Sequence, residues 1–360
     1  MTIEEKNIIW LDLFEFLTYQ KKIKILNIFP KLKDIKESFL SNPQVREVLS
    51  DLEFKKMSAM LSYDFLDRKI EKFKADGIKL ITIYSTDYPE ILREIPSPPL
   101  CLYCLGNIQL LKTYCIGVVG SRKHTDYGIV TTKQYCKEFA NNDITIVSGM
   151  AVGIDTIAHK TALEEGGNTI AVLAGGLYHI YPAINIKLAR EISQNNLIIT
   201  ESSPDVLPLN YLFPIRNRII AGLSRAVLIT EANIKSGSIH TANFAFDFNR
   251  EVFAIPGKIN ASSSMGTNKL IKDNKANITL SPDDVFEVLN LKKKENVQND
   301  NIQLDINAQI VLNYIKTEKK SFQEIAEFTK LSAKDLNALL VELEMTGMIT
   351  KLANNSYIAS

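Results

Sequence analysis

The chain has 360 residues, a formal net charge of +1, 46% hydrophobic residues and 23% charged residues. This balance is that of an ordinary globular protein, and the length suggests two or three domains. Because the net charge is near zero, any anion-binding surface must be a local patch. No apolar run approaches the ~18 residues of a membrane span, and the first residues lack a signal-peptide pattern. We therefore expect a cytoplasmic protein without a membrane partner.

Residues 1–65 are predicted to form a small N-terminal helical domain. The first glycine of the chain is Gly77, whereas a helix-hairpin-helix DNA module normally needs a glycine in its turn. Acidic and basic residues nearly cancel here, as on a solvated helix face. The sequence therefore favours a docking domain over a DNA-binding arm formed by lysines 21, 22, 24, 31 and 33.

Residues 66–290 alternate short apolar runs with helical segments, and glycine or serine follows nearly every run. The run Cys115–Val119 ends at Gly120-Ser121-Arg122, and residues 144–147 end at Ser148-Gly149. Strand, tight turn and helix in repetition are typical of parallel βαβ units. The predicted fold class is α/β, with a Rossmann-like parallel sheet domain between the N-terminal helical domain and a C-terminal winged-helix domain.

A linker and a compact tail are predicted after the sheet domain. Residues 291–303 are polar and lysine-rich, a composition that cannot bury a core. Residues 304–360 are predicted to form three helices and a hairpin around Asn354-Asn355, which is a winged-helix module. Its third helix carries Lys334 against Asp335, Glu342 and Glu344. Because phosphates repel this negative charge, we interpret the module as a structural or protein-contact domain.

The sequence shows no pattern typical of a catalytic centre or a common cofactor site. G-x-S-x-G, the Walker A pattern and a G-x-G-x-x-G at the first strand end are all absent. The histidines lack metal-binding spacing, and Cys101 and Cys104 form a C-x-x-C without a second pair. We expect a protein that is not an enzyme and that holds neither metal nor cofactor.

Four turns instead carry groups that suit phosphate oxygens. The carboxyl ends of parallel strands meet at one sheet edge, where helix N-termini offer free N–H groups and arginines offer guanidinium groups. The predicted phosphate-binding residues are Gly120, Ser121, Arg122, Gly149, Gly153, Arg216, Asn217, Arg218, Ser236, Gly237 and Ser238. Two aromatic residues just before Arg216, Tyr211 and Phe213, either stack on bases or pack in the core.

Taken in order, these motifs resemble the DNA-processing protein A (DprA/Smf) family over about residues 75–290. The resemblance rests on Tyr88-Pro89, Pro98-Pro99, Gly120-Ser121-Arg122, Ser148-Gly149 through Gly153-Ile-Asp155, Ala158-His159, Phe213-Pro-x-Arg-Asn-Arg218, Ser236-Gly237-Ser238 with Thr241-Ala242, and Pro256-Gly257. Three positions depart from the family pattern, namely Tyr178, Ile215 and Lys275.

This resemblance implies a cytoplasmic bacterial protein that binds single-stranded DNA. Such a protein protects incoming strands during natural transformation and loads the RecA recombinase on them. The family's Rossmann-like domain forms a homodimer and binds DNA in a basic pocket, to which Arg122 would belong.

Two other functions remain open at this stage. Nucleotide phosphoribohydrolases on a related scaffold carry Pro-Gly-Gly-x-Gly-Thr-x-x-Glu near a helix start, but the corresponding stretch here, residues 236–244, has no glutamate. A nucleotide-sensing domain coupled to a partner through the winged helix is the third possibility.

Overall fold

A computed structural model describes residues 1–61, 63–294, 305–316, 318–352 and 355–359. The helices are α1 Ile3–Asp12, α2 Tyr19–Ile28, α3 Ile35–Ser38, α4 Pro43–Val48, α5 Asp51–Ala59, α6 Tyr63–Ala75, α7 Glu90–Arg93, α8 Asp126–Asn141, α9 Ile154–Glu164, α10 Ile186–Asn195, α11 Leu212–Leu223, α12 Gly237–Asp247, α13 Met265–Lys272, α14 Pro282–Val288, α15 Ile306–Ile315, α16 Phe322–Thr329 and α17 Ala333–Met345. The strands are β1 Ile78–Thr82, β2 Cys101–Gly106, β3 Cys115–Val119, β4 Thr145–Ser148, β5 Thr169–Val172, β6 Leu197–Thr200, β7 Ala226–Ile229, β8 Glu251–Ala254, β9 Asn277–Ile278, β10 Lys320–Ser321, β11 Ile349–Leu352 and β12 Ser356–Ala359. Most of the predicted linker, from residue 295 onward, lies outside the described residues.

The central sheet has the strand order β1-β2-β6-β5-β4-β3-β7-β8-β9. Strands β3 to β9 pair in parallel with one another, whereas β2 runs antiparallel to both β1 and β6. The chain moves outward from β3 to β6 and then returns to the other side of β3 as β7. The crevice beyond the carboxyl ends of β3 and β7 is therefore the topological switch point, where ligands bind in such sheets. The predicted Rossmann-like fold class is confirmed.

Continuous apolar runs explain why these strands are central. Every residue of β3, β4, β5, β6 and β7 is buried. Parallel strands are covered by helices on both faces, so both alternating sets of side chains must be apolar or fully hydrogen-bonded. The ends of the strands therefore lie at one edge, and the turns that follow them reach solvent together.

The N-terminal helices pack directly against the antiparallel side of this sheet. Trp10 on α1 and Ile25 on α2 belong to the same buried cluster as Tyr103 on β2 and Ile198 on β6. Helix α6 spans residue 65, so the chain passes from the helical region to the sheet without a break. The domain boundary there stays a prediction.

The tail has its own apolar core, formed by α15, α16, α17 and a three-stranded antiparallel sheet of order β10-β12-β11. The expected hairpin is confirmed by the pairing of Ile349 with Ala359 and of Leu352 with Ser356, although Asn354 lies outside the described residues. An ion pair joins Lys319 to Asp126, the first residue of α8. The winged-helix assignment stays a prediction. Among the described residues, no helix has the length and apolar character needed to span a bilayer.

A buried histidine lies on α9 beside the first residue of β5. His159 is 0% exposed, and its Nδ1 is 2.7 Å from Thr169 Oγ1. Burial, with a smaller contribution from the nearby Arg216, lowers the pKa of His159 to about 3. The folded state therefore keeps this imidazole neutral at pH values where an unfolded chain would bind a proton.

This histidine should make stability fall on acidification. In the unfolded chain, His159 binds a proton below its ordinary pKa of 6.5. In the folded state, the same imidazole stays neutral down to about pH 3. Between pH 7.5 and pH 5, the free energy of unfolding should therefore fall by ~2 kcal/mol more in the wild type than in His159→Gln. Urea titrations at both pH values measure it, with the exposed His124→Gln as control. An unchanged pH dependence in His159→Gln would contradict the assignment.

Candidate nucleic-acid interface

A cavity of about 710 Å³ opens at the switch point. Most of the predicted phosphate-binding residues line it, namely Gly120, Ser121, Arg122, Arg216, Asn217, Ser236, Gly237 and Ser238. The turns after β3 and β7 and the start of α11 therefore meet, as the sequence predicted. Three predicted residues do not line this pocket: Gly149, Gly153 and Arg218.

The turn after β3 is fixed by backbone hydrogen bonds on both sides. Ser121 N donates to Glu231 O at 2.7 Å, and Ile154 N donates to Ser121 O at 3.2 Å. A Cβ on Gly120 would lie 2.6 Å from Ile154 Cγ1 and 2.9 Å from Glu231 O, so only glycine fits this close approach. Arg122 is held at the tip of this turn and remains exposed.

Glu231, at the end of β7, fixes the same turn through its side chain. It is 1% exposed, and its two carboxylate oxygens accept hydrogen bonds from Thr125 N and Thr125 Oγ1, both at 2.9 Å. Thr125 in turn caps α8. This positioning residue was missed in the sequence, where the only signal was an acidic residue directly after a buried strand.

Arg216 lies in the inner wall of the pocket and is 5% exposed. Its Nη1 donates to Gly149 O at 2.6 Å and also to Val172 O, and its Nε donates to Asn217 Oδ1 at 3.2 Å. The guanidinium group therefore ties the ends of β4 and β5 to α11. Burial lowers the pKa of Arg216 to about 10, against the opposing effect of Asp155.

Gly149 and Gly153 lie outside the pocket lining, and both positions require glycine for close packing, so their predicted role as phosphate ligands stays a prediction. A Cβ on Gly149 would lie 2.7 Å from Arg216 Nη2, so glycine makes room for the buried guanidinium. Gly153 has a φ of +89°, and a Cβ there would lie 2.3 Å from Ser121 O. Both glycines bring neighbouring groups into place and stay behind the pocket wall.

Arg218 also lies outside the pocket lining, and its predicted role in phosphate binding stays a prediction. Two residues along a helix correspond to a rotation of about 200°, so Arg216 and Arg218 occupy opposite faces of α11. Arg218 Nη2 pairs with the Glu201 carboxylate, and the Arg218 side chain is 12% exposed. Burial raises the pKa of Glu201, and Arg218 opposes that rise.

The start of α12 presents backbone groups to the pocket. Ser236 caps the helix, with its Oγ 3.4 Å from Ser238 N and 2.8 Å from Ser238 Oγ. Asn217 Nδ2 donates to Gly237 O at 3.1 Å and so joins α11 to this turn. A Cβ on Gly237 would meet no atom within 4 Å. The positive end of the helix dipole therefore borders open space, an arrangement that favours an anion.

Further cations line the pocket that the sequence did not single out. Lys123 and Lys235 line it beside Arg122, and both are exposed. Each directly adjoins a predicted turn, and that adjacency was the only available signal. Among the described lining residues, Asp155 is the one carboxylate, and its Oδ2 already accepts hydrogen bonds from Gly149 N at 3.1 Å and Ala151 N at 3.3 Å. The exposed charge of the pocket is therefore positive.

Aromatic rings form one side of the entrance. Phe213 lines the pocket, with the Arg122 guanidinium carbon 5.6 Å from its ring centroid. Tyr211 is 62% exposed but does not line the cavity, whereas Tyr181, which the sequence did not single out, does. No cluster of His, Cys, Asp or Glu suited to a metal occurs in the part of the chain that the structure describes.

Removing the buried guanidinium should destabilise the protein. We expect Arg216→Ala to lower the free energy of unfolding by about 3–5 kcal/mol, the range for removing one partner of a buried charged network, because the Gly149 and Val172 carbonyls lose their donor. Arg122→Ala is the matched control: the Arg122 side chain is exposed, so this variant should unfold at the same urea concentration as wild type. Urea titration followed by circular dichroism measures both. Equal stabilities of the two variants would contradict the buried role of Arg216.

Comparisons with known proteins identify the family of this chain. A family model for DNA recombination-mediator protein A matches residues 79–290. DNA processing protein DprA of Bacillus subtilis (strain 168) is 40% identical over 228 residues, which cover 63% of this chain and 76% of that protein. Protein Smf of a Synechocystis strain is 32% identical over 320 residues, covering 78% and 80% of the two chains.

Two solved structures extend the likeness to three dimensions. DNA processing protein A from Streptococcus pneumoniae superposes with a TM-score of 0.68 at 35% identity, covering 80% of this chain and 98% of that one. DNA processing protein A from Helicobacter pylori, described for its single-stranded DNA binding mode, has a TM-score of 0.54 at 34% identity, covering 59% and 95%. The family match contains every residue that lines the pocket, and the chain belongs to the DNA recombination-mediator protein A family.

Proposed function

We propose that this protein binds single-stranded DNA, protects incoming strands and loads the RecA recombinase on them during natural transformation and recombination. One observation carries the DNA-binding part: Arg122, Lys123 and Lys235 converge with the N-terminus of α12 on one pocket at the switch point. A phosphodiester backbone is the polyanion that such a pocket suits, since binding neutralises phosphates and releases counterions. Family membership supports the role in processing and recombination.

The shape and the aromatic lining favour a single strand over a duplex. The cavity is concave and carries Phe213 and Tyr181 beside the cations, so an unpaired base can enter while its phosphate contacts Arg122. A duplex keeps its bases stacked and presents only its backbone. The third helix of the tail, α17, carries more acidic than basic residues. This charge disfavours insertion of α17 into the major groove of a duplex, the binding mode of recognition helices in other DNA-binding modules.

The same pocket supports a binding role without catalysis. The helix start at residues 236–244 lacks the glutamate of a phosphoribohydrolase, and the Asp155 carboxylate is committed to two backbone N–H groups. We therefore propose that the protein is not an enzyme and needs no cofactor. An assay of nucleoside monophosphate cleavage beside a single-strand binding assay separates the two functions, and turnover would favour the phosphoribohydrolase.

The homodimer and the recombinase contact belong to the same proposal. They rest on the family resemblance, in which the Rossmann-like domain forms the dimer. Sedimentation of the free protein tests the first, and co-sedimentation with a RecA-type recombinase on single strands tests the second.

Binding should be selective for single strands, sensitive to salt and dependent on Arg122. We expect tighter binding to an oligothymidylate than to a duplex of equal length, with affinity falling steeply as salt rises. Arg122→Ala should weaken single-strand binding by about 1–3 kcal/mol, the range for a charge-assisted hydrogen bond. Arg225→Ala, an exposed arginine at the opposite end of β7, is the matched control. Fluorescence anisotropy measures the strand selectivity, the salt dependence and the affinity of both variants. Normal single-strand binding by folded Arg122→Ala would refute the proposed site.

The tail should contribute little to DNA affinity. Deleting residues 300–360 should leave a folded protein that binds single strands within a few-fold of wild type, under ~1 kcal/mol, because the cationic turns all lie in the sheet domain. Any loss should appear in partner contacts or in cooperative assembly. Anisotropy titrations at one salt concentration compare the two forms. If the truncated protein is folded but binds about a hundred-fold more weakly, the tail itself binds DNA.

A further inference from the structure

Tyr181 lies at the mouth of the pocket beside Phe213. The two ring centroids are 5.6 Å apart, and the ring planes meet at 67°. Tyr181 is 53% exposed, although it lines the cavity. An aromatic ring left half in water stabilises the fold less than a buried one, since the hydrophobic contribution follows the area removed from water. Its position therefore needs an explanation beyond packing.

The segment that carries Tyr181 is firmly attached at both ends. His179 N donates to Gly176 O at 3.0 Å. Asn185, which is 5% exposed, donates through Nδ2 to Met150 O and Thr156 Oγ1, both at 2.8 Å. The backbone is thus fixed while the ring stays in solvent. A ring that is already positioned loses little conformational entropy when a ligand contacts it.

Phe213 is less available to a ligand than Tyr181. Its ring already contacts the Arg122 guanidinium, 5.6 Å from the centroid, and the edge-to-face partner Tyr181. It is also only partly exposed. Most of the accessible aromatic surface that lines the pocket therefore belongs to Tyr181, and the partly exposed Phe213 supplies a smaller part.

We propose that Tyr181 stacks on a nucleobase of the bound strand and forms, with Phe213, an angled pair that separates two successive bases. This inference rests on the proposed function. Bases in a duplex lie parallel, whereas rings inclined at 67° cannot each carry a base while the two bases remain stacked on one another. The strand must therefore bend at this point, and a paired duplex cannot follow it. Tyr181 is thus a determinant of single-strand selectivity.

The test compares two probes of equal length, an oligothymidylate and an abasic strand that keeps the backbone but lacks bases. The variants are Tyr181→Ala, Tyr181→Leu, which keeps apolar bulk, and Tyr181→Phe, which keeps the ring. Tyr211→Ala is the matched control, because Tyr211 is 62% exposed and outside the pocket. We expect Tyr181→Ala and Tyr181→Leu to weaken oligothymidylate binding about tenfold, or ~1.4 kcal/mol. Binding to the abasic strand should not change, and Tyr181→Phe and Tyr211→Ala should bind like wild type.

Each other outcome would overturn the inference in a recognisable way. If folded Tyr181→Leu binds oligothymidylate like wild type, Tyr181 does not stack on a base. If both probes lose affinity equally, the side chain acts on the backbone or on the fold. A wild-type protein that binds neither probe would overturn the proposed function itself, which the Tyr181 variants alone could not do.

Discussion

The buried guanidinium group of Arg216 holds the candidate site together. It donates hydrogen bonds to carbonyl oxygens at the ends of two adjacent parallel strands, Gly149 on one side and Val172 on the other. Removing the guanidinium would take a donor from both carbonyls, and a buried carbonyl left without a donor costs about 1–3 kcal/mol. A side chain from α11 satisfies them, so the helix that borders the pocket is fixed to the sheet that supports it. The glycine at position 149 follows from this requirement, since any Cβ would collide with the guanidinium.

The opposite face of α11 also carries a largely buried arginine, on the side of the N-terminal helices. Arg218 pairs with Glu201 there, and a second buried pair, Lys22 with Asp12, lies in the same region, with Lys22 Nζ 3.3 Å from Asp12 Oδ1. Burial raises the pKa of Asp12, and Lys22 opposes that rise. Buried charges of this kind are tolerated only when each has its partner. The N-terminal helices therefore bring a second buried charge pair close enough to influence Arg218 and Glu201 electrostatically.

Much of the fold could be predicted because it depends on local pattern. Continuous apolar runs ended by glycine or serine mark buried parallel strands, and the turns after β3 and β7 were placed correctly for that reason. The direction of individual side chains could not be predicted. Arg216 and Arg218 look equivalent in the sequence, yet a rotation of about 200° between them sends one to the pocket wall and the other to Glu201. Similarly, Tyr181 is distant in sequence from Phe213, and only the packing of two loops brings the rings together.

A chain with a net charge of +1 can still offer a cationic pocket, because its nearby acids are committed elsewhere. Glu231 accepts from Thr125 through both oxygens, and Asp155 accepts from two backbone N–H groups. Burial raises the pKa of Asp155, and the Arg216 guanidinium opposes that rise. These carboxylates hold the turns in shape while Arg122, Lys123 and Lys235 remain exposed. The same hydrogen bonds that build the site therefore also compensate part of the negative charge that would repel a phosphate.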